Sequence, residues 1–201
     1  MYLEYNDLNK YLQDLPELEI NSVEIQNLSD KLFANATDEI NIIDKAFRFV
    51  RDHIAHSHDI QASEVTRTAI EVLKAGHGIC YAKSNLLAAL LRNGKVPTGF
   101  CYQRLILFDK RKQPQYCIHA LNAVYVSRYD RWIRIDSRGN KATVNAEFCP
   151  PKEKLAFSVD PTVGEINYPT IYAKPNRETM KTLQESTDVI QMYSHDLPEK
   201  I

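Results

Sequence analysis

The 201-residue sequence has no apolar run long enough to cross a bilayer. Its N-terminus, "MYLEYNDLNKYLQDLPELE", is acidic and has no basic segment followed by an apolar one, so neither a secretory signal nor a transit peptide is read there. A cytoplasmic location is the resulting expectation, with no membrane partner. None of the four cysteines stands in a CxxC pair, which leaves out the usual zinc and dithiol motifs. In a reducing compartment they are expected to be free thiols, so a special role would belong to one of them alone. There is no internal repeat and no low-complexity stretch. Net charge is −1, which gives no bulk attraction to nucleic acid or anionic membrane, and no nucleic-acid motif is present.

What is present is enough for one domain with a sizeable core. The hydrophobic fraction of 44% and charged fraction of 25% are those of a globular protein. Charge is uneven, however. Acids prevail in residues 1–50, and bases prevail in 101–150, where Arg104, Lys110, Arg111, Lys112, Arg128, Arg131, Arg134, Arg138 and Lys141 fall. Such a run fits a solvated sheet face with charged turns, or a patch for an anionic partner.

Helical spacing dominates the first half. Val23 to Phe33 predicts one helix. Thr37 is the expected N-cap of a second, with Asp38 and Glu39 in its first turn and Ile42, Ile43, Ala46, Phe47, Val50 and Ile54 repeating at helical spacing. Thr68 and Glu71 read as a capping box that opens a third helix, ended by Gly76. A fourth runs from about Cys80 to Asn93, with Gly94 as its stop. After Pro97 the pattern changes to strands: "GFCYQRLILF", a turn at "DKRKQPQ", then "YCIHALNAVYV" and "RWIRID". Helices followed by an antiparallel sheet make an α+β arrangement. Residues 141–195 read as an irregular proline-rich wrap and a last helix, capped by Asn176 and reaching about Tyr193. The tail "SHDLPEKI" is expected to be loose. No linker divides the chain, so residues 1–201 are expected to form a single domain with its core at about 38–140.

Cys80 opens the fourth helix after "GHGI". Unpaired N–H groups and the positive dipole end of a helix N-terminus favour a thiolate, and the same groups can bind an oxyanion. A thiol nucleophile needs a base, and the base an orienting group. His119 lies in one strand and Asp136 ends the next. If a two-residue tip at Arg128 and Tyr129 joins those strands, residue 119 faces residue 138. Asp136 is then a diagonal neighbour on the face of His119. A one-residue slip would separate them. From spacing alone each residue also fits an ordinary place: a packed cysteine, a satisfied interior histidine, a turn aspartate.

"GICYAKSNLLAALLRNGKVP" (78–97), "HALNAVYV" and "WIRID", preceded by "DEINIIDKAFRFVRDHIAHSHD", together resemble the transglutaminase-like superfamily. The resemblance runs from about Asp38 to Asp136. It implies a papain-like core with the cysteine helix packed on the sheet, and a triad of Cys80 as nucleophile, His119 as base and Asp136 as orienter. The implied chemistry is acyl transfer through a thioester, with hydrolysis of a peptide or amide favoured. Its partner would be a peptide, a protein or a small amide or ester. An acyltransferase using a small acyl thioester, or a non-catalytic binding module on the same fold, are the alternatives. Leu121 stands where the family often has tryptophan. His56 is nearest the place of an oxyanion-binding aromatic in relatives, and is read either as that donor or as a solvated helix-end residue. Gln103 is a further candidate for polar contact in the cleft. His53, His56 and His58 have no carboxylate or cysteine in register, so no metal is expected, and no cofactor.

Overall fold

A computed structural model describes residues 1–108 and 114–201. The turn expected from Asp109 lies, for residues 109–113, outside them, as do Lys110, Arg111 and Lys112.

The chain begins with a short strand, β1 (Tyr2–Leu3), and helix α1 (Val23–Phe33), whose N-cap Ser22 accepts a hydrogen bond from Ile25 N. Helix α2 (Glu39–His53) is capped by Asp38 rather than Thr37: the Asp38 carboxylate accepts from Asn41 N at 2.8 Å. Aspartate is the stronger cap of the two, so the boundary moves by one residue. Ile43, Ala46, Phe47 and Val50 fall on the buried face of α2 at helical spacing.

Strand β2 (Ala55–His56) follows, then α3 (Ala69–Ala75) and β3 (His77–Gly78). Thr68 caps α3 through Glu71 N at 3.3 Å. The return bond of the expected capping box is displaced, because Glu71 Oε2 accepts from Arg67 N at 2.7 Å. Gly76 ends α3 in the left-handed region, at φ 72°.

Helix α4 (Cys80–Asn93) is buried from Cys80 through Arg92. A helix buried all round is a central one. It packs on α1, α2, α3 and the sheet, and each fully buried leucine among Leu86, Leu87, Leu90 and Leu91 is worth about 1.5–3 kcal/mol. Gly94 does not supply the left-handed stop; Lys95 does, at φ 64°. Gly94 is needed for closeness instead, since a Cβ there would lie 3.0 Å from Phe33 and 3.1 Å from Ile42. Arg92, 1% exposed, donates to three backbone carbonyls, Gln13 O (2.7 Å), Thr98 O (2.8 Å) and Ala173 O (2.6 Å). It ties the end of α4 to both ends of the chain.

Strands β4 (Thr98–Phe108), β5 (Gln115–Val126) and β6 (Arg131–Ile135) form an antiparallel sheet. Val126 pairs with Arg131 and Asn122 with Ile135, so four residues, Ser127–Asp130, make the tip instead of two. The register is nevertheless the expected one, and carried along β5 it sets residue 119 opposite residue 138. Glu39 holds this tip, accepting from Ser127 Oγ and Arg128 N, both at 2.8 Å.

The stretch read as an irregular wrap contains order. Strands β7 (Glu147–Cys149) and β8 (Lys152–Lys154) form a hairpin. Strand β9 (Ile166–Asn167) joins the main sheet beside β4, giving the order β6-β5-β4-β9, and β10 (Thr170–Ile171) pairs with β1. The expected last helix is two: α5 (Arg177–Glu185), capped by Asn176, and α6 (Val189–His195), capped afresh by Asp188. The tail is not loose at its start. Pro198 O accepts from Ile118 N at 2.8 Å, and Leu197 packs on the core. Among the described residues no helix is long and apolar enough to cross a membrane.

Candidate active site

The site lies where β5 runs on past the end of β6. Residues 115–121 of β5 have no partner in β6, and the first turn of α4 comes up against this free edge, where Tyr81 OH donates to Ile118 O at 2.8 Å. Cys80 is the first residue of α4. Its N-cap, Ile79, makes no side-chain capping bond, so the first-turn N–H groups carry no such partner. Parallel pairing of β2 with β3 sets His56 beside Gly78, two residues before Cys80. Ala55 N donates to Gly76 O at 2.9 Å, and Ser57 N to Gly78 O at 3.2 Å.

His119 and Asp136 meet. His119 Nε2 lies 2.8 Å from Asp136 Oδ2, with the two side chains 6% and 1% exposed. Cys80 lines the same cavity as the imidazole, and its charge acts on it. Asp136 also accepts from Arg138 N at 3.1 Å and Ala156 N at 3.2 Å. Burial works against its charge. His119 and the two backbone donors outweigh burial and hold the carboxyl below its ordinary range. Burial likewise opposes the His119 cation, but the charges of Asp136 and Cys80 and hydrogen bonds to both raise its pKa to about 10. The edge of Phe157 closes over the imidazole, ring centroids 5.0 Å apart.

His56 is buried, not solvated: it is 4% exposed, and neither ring nitrogen has a hydrogen-bond partner. Burial, then the nearby Arg138 charge, pushes its pKa well down, so it is neutral at pH 7. Cys80, His119 and His56 line one cavity of about 340 Å³, shared with Arg138, Phe157 and Leu197. Gln103 is not among its lining residues. It sits opposite His119 in the β4–β5 register, and its amide donates to Asn167 Oδ1 at 2.9 Å, bracing β9. Leu121 packs with Cys101, Ala123 and Ile171 in a second apolar cluster. Cys101 and Cys117, both pushed up to about 12 by burial, are poor nucleophile candidates, and Cys149 is exposed. His53 is exposed at the end of α2, while His58 stacks on Tyr193 with centroids 4.3 Å apart. No group of three or more His, Cys, Asp or Glu among the described residues is placed to hold a metal ion.

Sequence reasoning did not single out Asp59, Tyr193, Phe157 or Leu197 for the site. Arg138 and Lys141 were visible only as members of a basic run. Their common partner Asp59 is about eighty residues away in the chain, so no local pattern joins them.

A cysteine at the head of a central helix, a histidine and the buried aspartate bonded to it lie together at the edge of an antiparallel sheet, in an α+β fold. The chain belongs to the transglutaminase-like superfamily, whose family profile matches residues 26–137, more than half of it. A solved structure agrees on the fold. A candidate cysteine protease from Cytophaga hutchinsonii is similar over 67% of this chain, with a TM-score of 0.53 and 16% identity. The periplasmic domain of TgpA from Pseudomonas aeruginosa is similar over 65% of this chain and 47% of its own length, with a TM-score of 0.49 and 12% identity. The match spans 43% of the Cytophaga chain, less than half of it. No curated protein sequence matches this one.

Proposed function

We propose that this protein is a cysteine-dependent acyl-transfer enzyme that hydrolyses a peptide or amide bond, with Cys80 as nucleophile, His119 as acid–base and Asp136 as its orienter. One observation carries the reading: His119 has a buried carboxylate on Nε2 and lines one cavity with the Cys80 thiol. With the thiol proton on His119, the sulfur attacks the substrate carbonyl carbon. A C–S bond forms and the carbonyl π electrons move to oxygen. The resulting oxyanion is met by N–H groups of the first turn of α4 and by an N–H of neutral His56, which has no other partner. His119 gives its proton to the leaving nitrogen, the C–N bond breaks, and a thioester remains. His119 then takes a proton from water, whose oxygen attacks the thioester, and the sulfur leaves. Asp136 keeps the imidazole oriented and stabilises its cation throughout. We place this chemistry in the cytoplasm, where thiols stay reduced.

The exposed Cys149 is a reference thiol within the same molecule. With limiting iodoacetamide at pH 6, peptide mapping should find Cys80 alkylated at least roughly tenfold faster than Cys149, although Cys80 is 6% exposed. His119→Ala should abolish that preference. Faster labelling of Cys149 in the unsubstituted protein would sink the reading.

A further inference from the structure

The cavity is electrically lopsided. In its lining Arg138 and Lys141 converge on a single carboxylate. Arg138 donates through both Nη atoms to the two oxygens of Asp59, and Lys141 Nζ lies 2.9 Å from Asp59 Oδ1. Two cations against one carboxylate leave a positive charge uncompensated. Arg138 is fixed there: its guanidinium is 7% exposed, and its own N–H is bound to Asp136. Lys141 is 46% exposed and has N–H donors to spare. His56 shares the cavity lining and is buried with no partner on either nitrogen. Neutral imidazole cannot supply the missing charge balance.

Much of the remaining lining is apolar, with Leu105, Leu107, Phe157 and Leu197. The one acid there, Glu165, is turned into its own surroundings, accepting from Ile106 N at 3.0 Å and Asp160 N at 2.9 Å. A negative group entering the cavity is therefore drawn toward Arg138 and Lys141. A carboxylate fits the donors, its acceptor oxygens meeting the spare N–H groups of Lys141 Nζ beside the Arg138 charge. Binding at a partly enclosed site makes the attraction stronger than at an open surface.

We propose that the part of the cleft at Arg138 and Lys141 binds a carboxylate of the substrate, close to the carbonyl that Cys80 attacks. The inference rests on Cys80 as the nucleophile and names the substrate class of that same site: an amide whose reacting carbonyl lies near a negative group, with an apolar group for the rest of the cleft. Lys141 is then a specificity residue, not a catalytic one.

Paired alkylating agents test it. Iodoacetate and iodoacetamide place the same carbon on sulfur and expel iodide, and differ only in the carboxylate. Iodoacetate should alkylate Cys80 faster, relative to iodoacetamide, than it alkylates Cys149, and the ratio should fall as salt rises. Lys141→Gln should cut the ratio roughly threefold and Lys141→Glu roughly tenfold, each variant's own iodoacetamide rate serving as its reference. Bromoacetyl-glycine and the carboxamide of bromoacetyl-aspartate then separate a terminal carboxylate from a side-chain one, whichever shows the larger loss in Lys141→Glu. Equal ratios in all three proteins overturn the carboxylate site while leaving the nucleophile intact. Failure of both reagents to reach Cys80 before Cys149 overturns the catalytic reading, and this inference with it.

Discussion

Asp136 reaches His119 from the strand next to it, its carboxylate 2.8 Å from Nε2, and itself accepts backbone N–H groups from Arg138 and Ala156. The imidazole is therefore held by a carboxylate that is locked from two further directions. Asp136→Asn keeps the shape and removes the charge. Alkylation of Cys80 at pH 6 should fall by roughly 10²-fold or more, since an uncharged partner no longer stabilises the imidazolium. The variant should still unfold cooperatively; an unchanged alkylation rate would show that Asp136 does not orient the base.

Stability should carry the mark of the same pair. The His119 pKa is raised to about 10 in the folded protein from an ordinary value of 6.5. The native state then holds a proton that the unfolded chain has lost between those values. The stabilisation is complete below pH 6.5 and disappears as pH rises through about 10. Urea midpoints of the unsubstituted protein and His119→Gln should converge as pH goes from 6 to 10. A gap constant with pH would contradict the ion pair.

Lys83 predicts the opposite slope. It is fully buried on α4, one turn after Cys80, and donates to Ile54 O. Burial first, then the Arg138 charge, lowers its pKa from 10.5 to about 7. Between these values the unfolded chain binds the extra proton, so stability rises with pH, and the contribution is lost as pH falls through 7. Lys83→Met should therefore compare best with the parent protein at pH 6 and worst near pH 10.5. His119 and Lys83 offset one another across this window, so the single variants should reveal slopes that the parent hides.

The segment Tyr193–Pro198 predicts access. Tyr193 and Leu197 line the cavity, and Pro198 O takes the Ile118 N–H beside His119. Deleting residues 196–201 should expose that edge of β5. Cys80 should react faster with a bulky maleimide, while the small iodoacetamide gains less. Equal acceleration of both reagents would point to general loosening instead, and a thermal scan would show it.

Local chemistry made much of the fold legible. Thr68 caps helix α3 as its side chain demands, and α4 starts at Cys80, the residue at which the sequence pattern opened it. The meeting of His119 and Asp136 was readable because a hairpin register propagates along both strands, even though the tip holds four residues and not two. What was not readable is long-range. Asp59 finds Arg138 and Lys141 across about eighty residues, and β9 joins an edge far from it in the chain. Gln103 had the right strand, but its amide is spent on Asn167. The tail's composition suggested mobility, and the free N–H of Ile118 gave it a mooring.

The two-residue ladder between Ala55–His56 and His77–Gly78 has a mechanical meaning. It rivets the imidazole of His56 to the backbone that leads directly into Cys80, so both sides of the gap proposed to receive a carbonyl oxygen ride on one short frame. Breathing of the helical core would carry the two sides together. The gap is gauged by backbone bonds, not by leucine packing. Core substitutions along α4 should accordingly soften the whole protein well before they detune the spacing at which its chemistry would occur.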